Sequence, residues 1–159
     1  MEKNWTFFEY EGELHAIYSI RPHRVLKIQG TEAVEHSLTP GCPPWVGGHW
    51  RGGAAPCKIG EEYWCFCHGK IDSNPFVYSI GLYCFEARPP FRVTRYTPEP
   101  LFWADGKDIP PELNWARVVF CNGAILENGI WKCSAGIHDC HSDIFEFSHE
   151  EVERLLVRV

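Results

Sequence analysis

The apolar residues of this chain fall in short runs of strand character, broken by glycine and proline. Leu14-His15-Ala16-Ile17-Tyr18-Ser19-Ile20 is aliphatic or aromatic at many positions, as β-strands are. Glu62 to His68, Val77 to Phe85, Val118 to Phe120 and Ile130 to Cys133 read the same way. Gly12, Gly60 and Gly129 stand in the turns before three of these strands. Asn128-Gly129 predicts a two-residue hairpin, because both residues tolerate positive φ. One helix is expected, near the end. Ser148 can cap it, Glu151 three residues later completes a capping box, and Val152, Leu155 and Leu156 fall on one face. The pattern predicts an all-β chain with a short C-terminal helix.

The strand signals repeat weakly as an apolar strand, a glycine turn and a second apolar strand ending in polar residues. The units are Phe7-Phe8 to Arg21 through Gly12, Ala54-Ala55-Pro56 to His68 through Gly60, and Cys121 to Asp139 through Gly129. Repeated antiparallel sheets of this size are written this way in β-propellers. A sandwich of hairpins accommodates the same periodicity. The prolines, Pro43-Pro44, Pro89-Pro90 and Pro110-Pro111 among them, punctuate loops without marking a domain boundary. Residues 104–114 read as an exposed loop, and 1–159 as a single domain.

Composition narrows the partners. At 159 residues the chain can bury one core. Its net charge of -6 and its lack of a Lys/Arg run argue against nucleic acid and against an anionic membrane surface. No uninterrupted apolar stretch approaches the ~18 residues of a membrane-spanning helix. Met1-Glu2-Lys3-Asn4-Trp5 lacks the charged-then-apolar layout of a signal peptide, so the expectation is a cytoplasmic protein whose eight cysteines are reduced. Cys65 and Cys67 alternate along a strand, share one side, and read as small buried hydrophobes. Cys133, His138, Cys140, His141 and His149 are dense enough to consider a metal. They lack a CxxC pair and any zinc spacing, and no metal is expected.

Longer phrases are more specific. Arg51-Gly52-Gly53-Ala54-Ala55-Pro56 leads into Tyr63-Trp64-Cys65-Phe66-Cys67-His68-Gly69. Then come Tyr78 to Ala87, Pro89-Pro90, and Tyr96-Thr97-Pro98-Glu99-Pro100-Leu101. Val118-Val119-Phe120-Cys121-Asn122-Gly123-Ala124 and Gly136-Ile137-His138-Asp139 follow. In this order they resemble the later blades of the β-mannoside phosphorylases, glycoside hydrolase family 130, and Lys3-Asn4-Trp5 and the strand ending in Arg21 fit the preceding blade. The resemblance implies a partial β-propeller of about three blades, a β-mannoside-like carbohydrate ligand, and glycosyl transfer to inorganic phosphate as co-substrate or to water, without any other cofactor.

By the same resemblance Lys3, Asn4, Arg21, His68 and Tyr78 correspond to a phosphate pocket, and Asp139 to an aspartate that contacts sugar hydroxyls. The residue types suit those roles. Arg presents a planar fork to phosphate oxygens, His and Tyr add directional donors, and a carboxylate accepts bonds from paired hydroxyls. Trp45, Trp50, Trp64 and Trp103 are candidates for stacking on a sugar face. Two departures stand out. The family's general acid lies upstream of the segment matching Lys3-Asn4, so the catalytic residue is unassigned and the chain is expected to be catalytically incomplete by itself. Phe120-Cys121-Asn122-Gly123 also stands where the family has phenylalanine-proline-cysteine-glycine. A non-catalytic carbohydrate-binding or assembly domain is the alternative. Open sheet edges invite pairing, so a homo-oligomer or pairing with a separate N-terminal propeller half is expected.

Overall fold

The computed structural model describes residues 4–104 and 116–159. Three separate sheets account for most of the strands. The first, sheet A, is an antiparallel meander of β1 (Thr6–Tyr10), β2 (Glu13–Ile20), β3 (His23–Gln29) and β4 (Glu32–Thr39) in that order. Sheet B is built on the long hairpin of β7 (Glu62–Ile71) and β8 (Phe76–Glu86). To this hairpin are added β5 (His49–Arg51), β6 (Cys57–Ile59), β9 (Val93–Tyr96), β10 (Phe102–Trp103), β11 (Ala116–Arg117) and the terminal β15 (Val157–Arg158). Sheet C is β12 (Val119–Glu127), β13 (Ile130–Ile137) and β14 (His141–Ser148). Each of the three sequence repeats therefore lies in its own sheet, and the sheets do not close on one another among the described residues.

Sheet B is the middle layer, and strand alternation explains how. Along β7, Tyr63, Cys65 and Cys67 point to one face and pack with Phe8, Ile17, Ile20 and Val25 of sheet A. Trp64 and Phe66 point to the other and pack with Val119, Cys121, Trp131 and Cys133 of sheet C. A central strand buried on both faces reads as a continuous apolar run, which is what residues 63–67 are. Fully burying one such side chain is worth about 1.5–3 kcal/mol. Cys65 and Cys67 are fully buried on one face, as their alternation predicts, and all eight cysteines are free thiols. Burial pushes the Cys65 thiol up to about 12, so it behaves as a small hydrophobe rather than a nucleophile.

Turn chemistry follows the sequence closely. Asn128 and Gly129 take φ of 51° and 77° between β12 and β13, as the dipeptide predicts. The helix α1 (His149–Leu155) is capped by Ser148, whose Oγ accepts from the Glu151 backbone N–H at 3.4 Å. Only Val152 of its predicted apolar face is buried; Leu155 is exposed, and Leu156 has left the helix to pack on the core between sheets B and C. A two-turn helix is too short to carry the longer stripe. Replacing Ser148 with alanine is expected to cost about 1 kcal/mol by removing this cap, read as a lower midpoint in urea denaturation.

Candidate functional site

A cleft of about 640 Å³ lies where the β2–β3 turn meets residues 43–50 and the end of β7. Its floor is a pair of tryptophans. Trp45 and Trp50 stack with ring centroids 4.2 Å apart and planes 15° from parallel. Both are fixed by hydrogen bonds. The indole N–H of Trp45 donates to the Thr97 carbonyl at 2.8 Å, and that of Trp50 to the Pro43 carbonyl at 2.7 Å. Trp45 can lie against sheet B because the strands carry glycine beneath it. A Cβ at Gly69 would come 2.6 Å from Trp45 Cζ3, and one at Gly81 2.5 Å from Cη2.

Charged groups line the rim. Lys70 Nζ contacts Asp72 Oδ1 at 2.5 Å and lies 3.8 Å from the centroid of the Phe76 ring. His49 Nε2 is 3.4 Å from Asp72 Oδ2. The Lys70 hydrogen bond, and then the charges of Lys70, His49 and Arg51, outweigh desolvation and hold the Asp72 carboxyl below the usual carboxylate range. Arg21 reaches the rim from the β2–β3 turn, is exposed, and forms no ion pair among the described residues. Trp50, half-buried over the buried Trp45, three basic side chains and one ionised carboxylate form a surface that can stack on a sugar ring and bond its hydroxyls.

A second cluster continues along the face of β7 that carries Lys70, away from Trp45. His68 is buried, packed against the Tyr78 ring at 5.7 Å with planes 12° apart and against Phe120 of sheet C at 4.4 Å. Arg51 stands directly opposite His68 in the β5–β7 ladder. Its neighbour Gly52 accommodates the backbone of Asn4, since a Cβ there would come 2.1 Å from the Asn4 carbonyl oxygen. The structure thus brings His68 and Tyr78 together, with Arg51 beside them and the Asn4 backbone nearby. Arg21 lies instead in the tryptophan cleft on the opposite face of β7. Lys3 lies outside the described residues.

Asp139 has its own place. His138 and Asp139 both take positive φ, 52° and 57°, and the Cys140 N–H donates to the Ile137 carbonyl at 3.0 Å. This is a type I′ turn between β13 and β14, a conformation that aspartate tolerates better than most residues. The turn projects from the strand end where Gly136 pairs with Phe120. Of the other tryptophans, Trp64 is core, stacked on Trp131, and Trp103 is partly exposed on β10.

The residues considered for a metal are dispersed. Cys133 is in the core, His138 Nδ1 accepts from the Val118 N–H at 3.1 Å, and His149 Nδ1 accepts from the Trp131 indole at 3.1 Å. Among the described residues no group of three such side chains could hold a metal ion. Sequence reasoning assigned no role to His49, Lys70, Asp72 or Arg51. The Arg51-Gly52-Gly53 run carried a signal for the last of these: a bulky charge beside two glycines marks a close backbone approach.

Comparison with protein-family models and with curated protein sequences finds no match. Solved structures do match. The β-1,2-mannobiose phosphorylase from Listeria innocua superposes with a TM-score of 0.72 at 19% identity, over 97% of this chain and 46% of the phosphorylase. A glycosyl hydrolase from Bacteroides ovatus gives a TM-score of 0.72 at 15% identity, over 94% of this chain and 49% of its own. A third structure, described with the GH130 mannoside phosphorylases and the glycoside hydrolases among them that target β-1,2 mannosidic linkages in Candida mannan, gives 0.70 at 13% identity, again over 94% and 49%. The chain spans about half the length of these proteins. It therefore shares the fold of the GH130 mannoside phosphorylases and related glycosidases over that half.

Proposed function

We propose that this chain is a propeller-type carbohydrate-binding domain, its three sheets acting as consecutive blades, which takes a mannoside-like sugar in the cleft floored by Trp45 and Trp50. The observation that carries the reading is the coincidence of the glycosidase fold with a rigid tryptophan pair ringed by Arg21, His49, Lys70 and Asp72. Indole faces suit the apolar side of a pyranose, and Asp72 can accept from adjacent hydroxyls. Arg21 and Lys70 give the same cleft a place for inorganic phosphate, as a planar fork and a point charge.

We further propose that the domain does not cleave glycosides by itself. Glycosidic cleavage needs a carboxylic acid held protonated beside the leaving oxygen. Asp72, the carboxylate among the cleft's described lining, is held ionised by Lys70. It suits accepting hydrogen bonds rather than donating a proton.

Titration of β-1,2-mannobiose, followed by tryptophan fluorescence and calorimetry with and without phosphate, tests the binding. Saturable quenching is expected, with W50A weakening affinity about tenfold, the ~1.4 kcal/mol scale of one lost stacking face. Thermal denaturation of W50A separates lost binding from lost folding. No saturable signal from the wild-type protein overturns the reading. Release of mannose 1-phosphate or mannose by the purified chain would overturn the claim that it is non-catalytic.

A further inference from the structure

Sheet A turns one face to sheet B and leaves the other bare, as sheet C does. On the bare face of sheet A the floor is apolar: Ala16 and Leu26 pair across β2 and β3 and are buried. Trp5 and Tyr18 wall this floor, edge to face with ring centroids 5.5 Å apart, and Phe7 stands next to Trp5 at 6.5 Å. A hollow of about 280 Å³ lies between these walls and Ala33, bordered on its remaining side by Arg24 and Glu35.

Two β-bulges shape the hollow. β2 carries one extra residue, Tyr18, between Ile17, opposite Val25, and Ser19, opposite Arg24. This sets Tyr18 beside Arg24, whose Cζ lies 5.1 Å from the centre of the Tyr18 ring. β4 carries another, His36, between Glu35, opposite Leu26, and Ser37, opposite Val25. His36 turns to the inner face and meets His15 at 3.0 Å, while Glu35 turns to the bare face, where its Oε2 accepts from Arg24 Nε at 2.6 Å. A bulge re-aims a side chain with the loss of regular ladder pairing. Here both bulges direct aromatic or charged groups into one place.

The charges decide what fits. The hollow holds one cation and one anion, already paired, so an anionic ligand would face Glu35 and a cationic one Arg24. A protein surface seated here would bury the pair away from water, at a desolvation cost that the pair's own attraction offsets poorly. A neutral polyol keeps the pair intact. Among the described residues the ion pair uses Arg24 Nε and Glu35 Oε2. The guanidinium Nη groups can then donate to one hydroxyl, and Glu35 Oε1 can accept from its neighbour. The apolar side of a pyranose suits the indole of Trp5. At about 280 Å³, near the ~300 Å³ lower end of ligand pockets, the hollow has room for one ring.

We propose that this hollow is a second carbohydrate site, taking one neutral pyranose ring between Trp5 and the Arg24–Glu35 pair. It lies on the face of sheet A turned away from sheet B, and it does not rest on the reading of the Trp45–Trp50 cleft.

Fluorine NMR of the whole chain labelled with 5-fluorotryptophan tests the proposal. The Trp5 and Trp50 signals are assigned by their loss in Trp5→Phe and Trp50→Phe. Titration with methyl β-mannopyranoside should shift the Trp5 signal saturably, with a dissociation constant on the order of 1 mM. Arg24→Met combined with Glu35→Met keeps the hollow apolar and should weaken this binding at least about tenfold by removing its hydrogen bonds. The signals of the other tryptophans report whether that double variant keeps the fold. A Trp5 signal that does not saturate in the wild type, a double variant that binds as well as wild type, or cyclohexanol binding as tightly as the pyranoside overturns the proposal. A saturable shift at Trp50 alone overturns it and leaves the cleft reading standing. A saturable shift at Trp5 alone upholds this site and removes the cleft.

Discussion

Replacing Trp131 with alanine should cost about 3–5 kcal/mol, the range for deleting a fully buried aromatic, and this is the largest loss expected of any single substitution described here. Trp131 is fully buried between sheets B and C. Its ring lies 5.9 Å from Trp64 and 5.1 Å from Phe66, and its indole N–H donates to His149 at the start of α1. The variant thus loses apolar burial, opens a cavity, and removes the donor that ties the helix to the sheets. Domains of this size are stable by only about 5–15 kcal/mol, so a large part of the margin would go. Urea denaturation should show the midpoint fall sharply, with Ile125→Ala, on the bare face of sheet C, shifting it by less than about a third as much. A Trp131→Ala chain within about 1 kcal/mol of wild type would mean that the contact between sheets B and C does not run through this residue.

Acidification should destabilise the opposite interface. Phe91, from the β8–β9 connection, inserts among Phe8, Tyr10, His15 and His36 of sheet A, and its carbonyl accepts from His23 Nδ1 at 2.9 Å. His23 Nε2 is buried with no hydrogen-bond partner among the described residues. Desolvation, only partly opposed by the bond to Phe91, pulls its pKa from 6.5 down to about 4. The folded state therefore binds the proton less readily than the unfolded chain, so this contribution is complete above pH 6.5 and is lost as pH falls toward 4. The loss amounts to about 3 kcal/mol at pH 4, a pKa unit being about 1.4 kcal/mol.

His36 adds in the same direction. Burial first, and then the charge of His15, lower its pKa, and the two imidazoles meet at 3.0 Å. His15 Nδ1 donates to the Glu13 carbonyl, which leaves its Nε2 to accept a single shared proton from His36. Two protonated rings could not keep that bond. Unfolding free energies measured at pH 7 and pH 4.5 should differ by a few kcal/mol in the wild type. H23N, which retains a donor toward Phe91 but does not titrate, should differ by much less. Equal dependence in the two proteins would remove His23 as the cause.

Several features were legible because they are local. Gly12, Gly60 and Asn128-Gly129 placed turns where positive φ was required, and Ser148 placed the start of the helix. The apolar run from Glu62 to His68 identified a strand, and the alternation of Cys65 and Cys67 put both on one buried side. By contrast β14 was missed, because the strand lies at the edge of sheet C and five of its eight residues are exposed; only Phe145, Phe147 and Ser148 are partly buried. The terminal β15 was missed for a related reason, being two exposed residues that exist as a strand only because β9 offers them a partner.

The site divides in the same way. The family resemblance pointed to His68, Tyr78 and Arg21 as candidates, yet the sequence could not place them relative to β7. His68 and Tyr78 meet on the face of β7 that carries Lys70, while the β2–β3 turn carries Arg21 to the other, beside Trp45 and Trp50. That cleft joins residues from about position 20 to about position 70, and no spacing rule spans such separations. Amino-acid type alone determined the strand content and the turns, because each depends on φ/ψ preference or side-chain alternation within a few residues. Which face each polar group occupies, which tryptophans are floor rather than core, and which sheet faces remain bare were decided by how the three sheets stack, since burial is a property of neighbours that arrive from elsewhere in the chain.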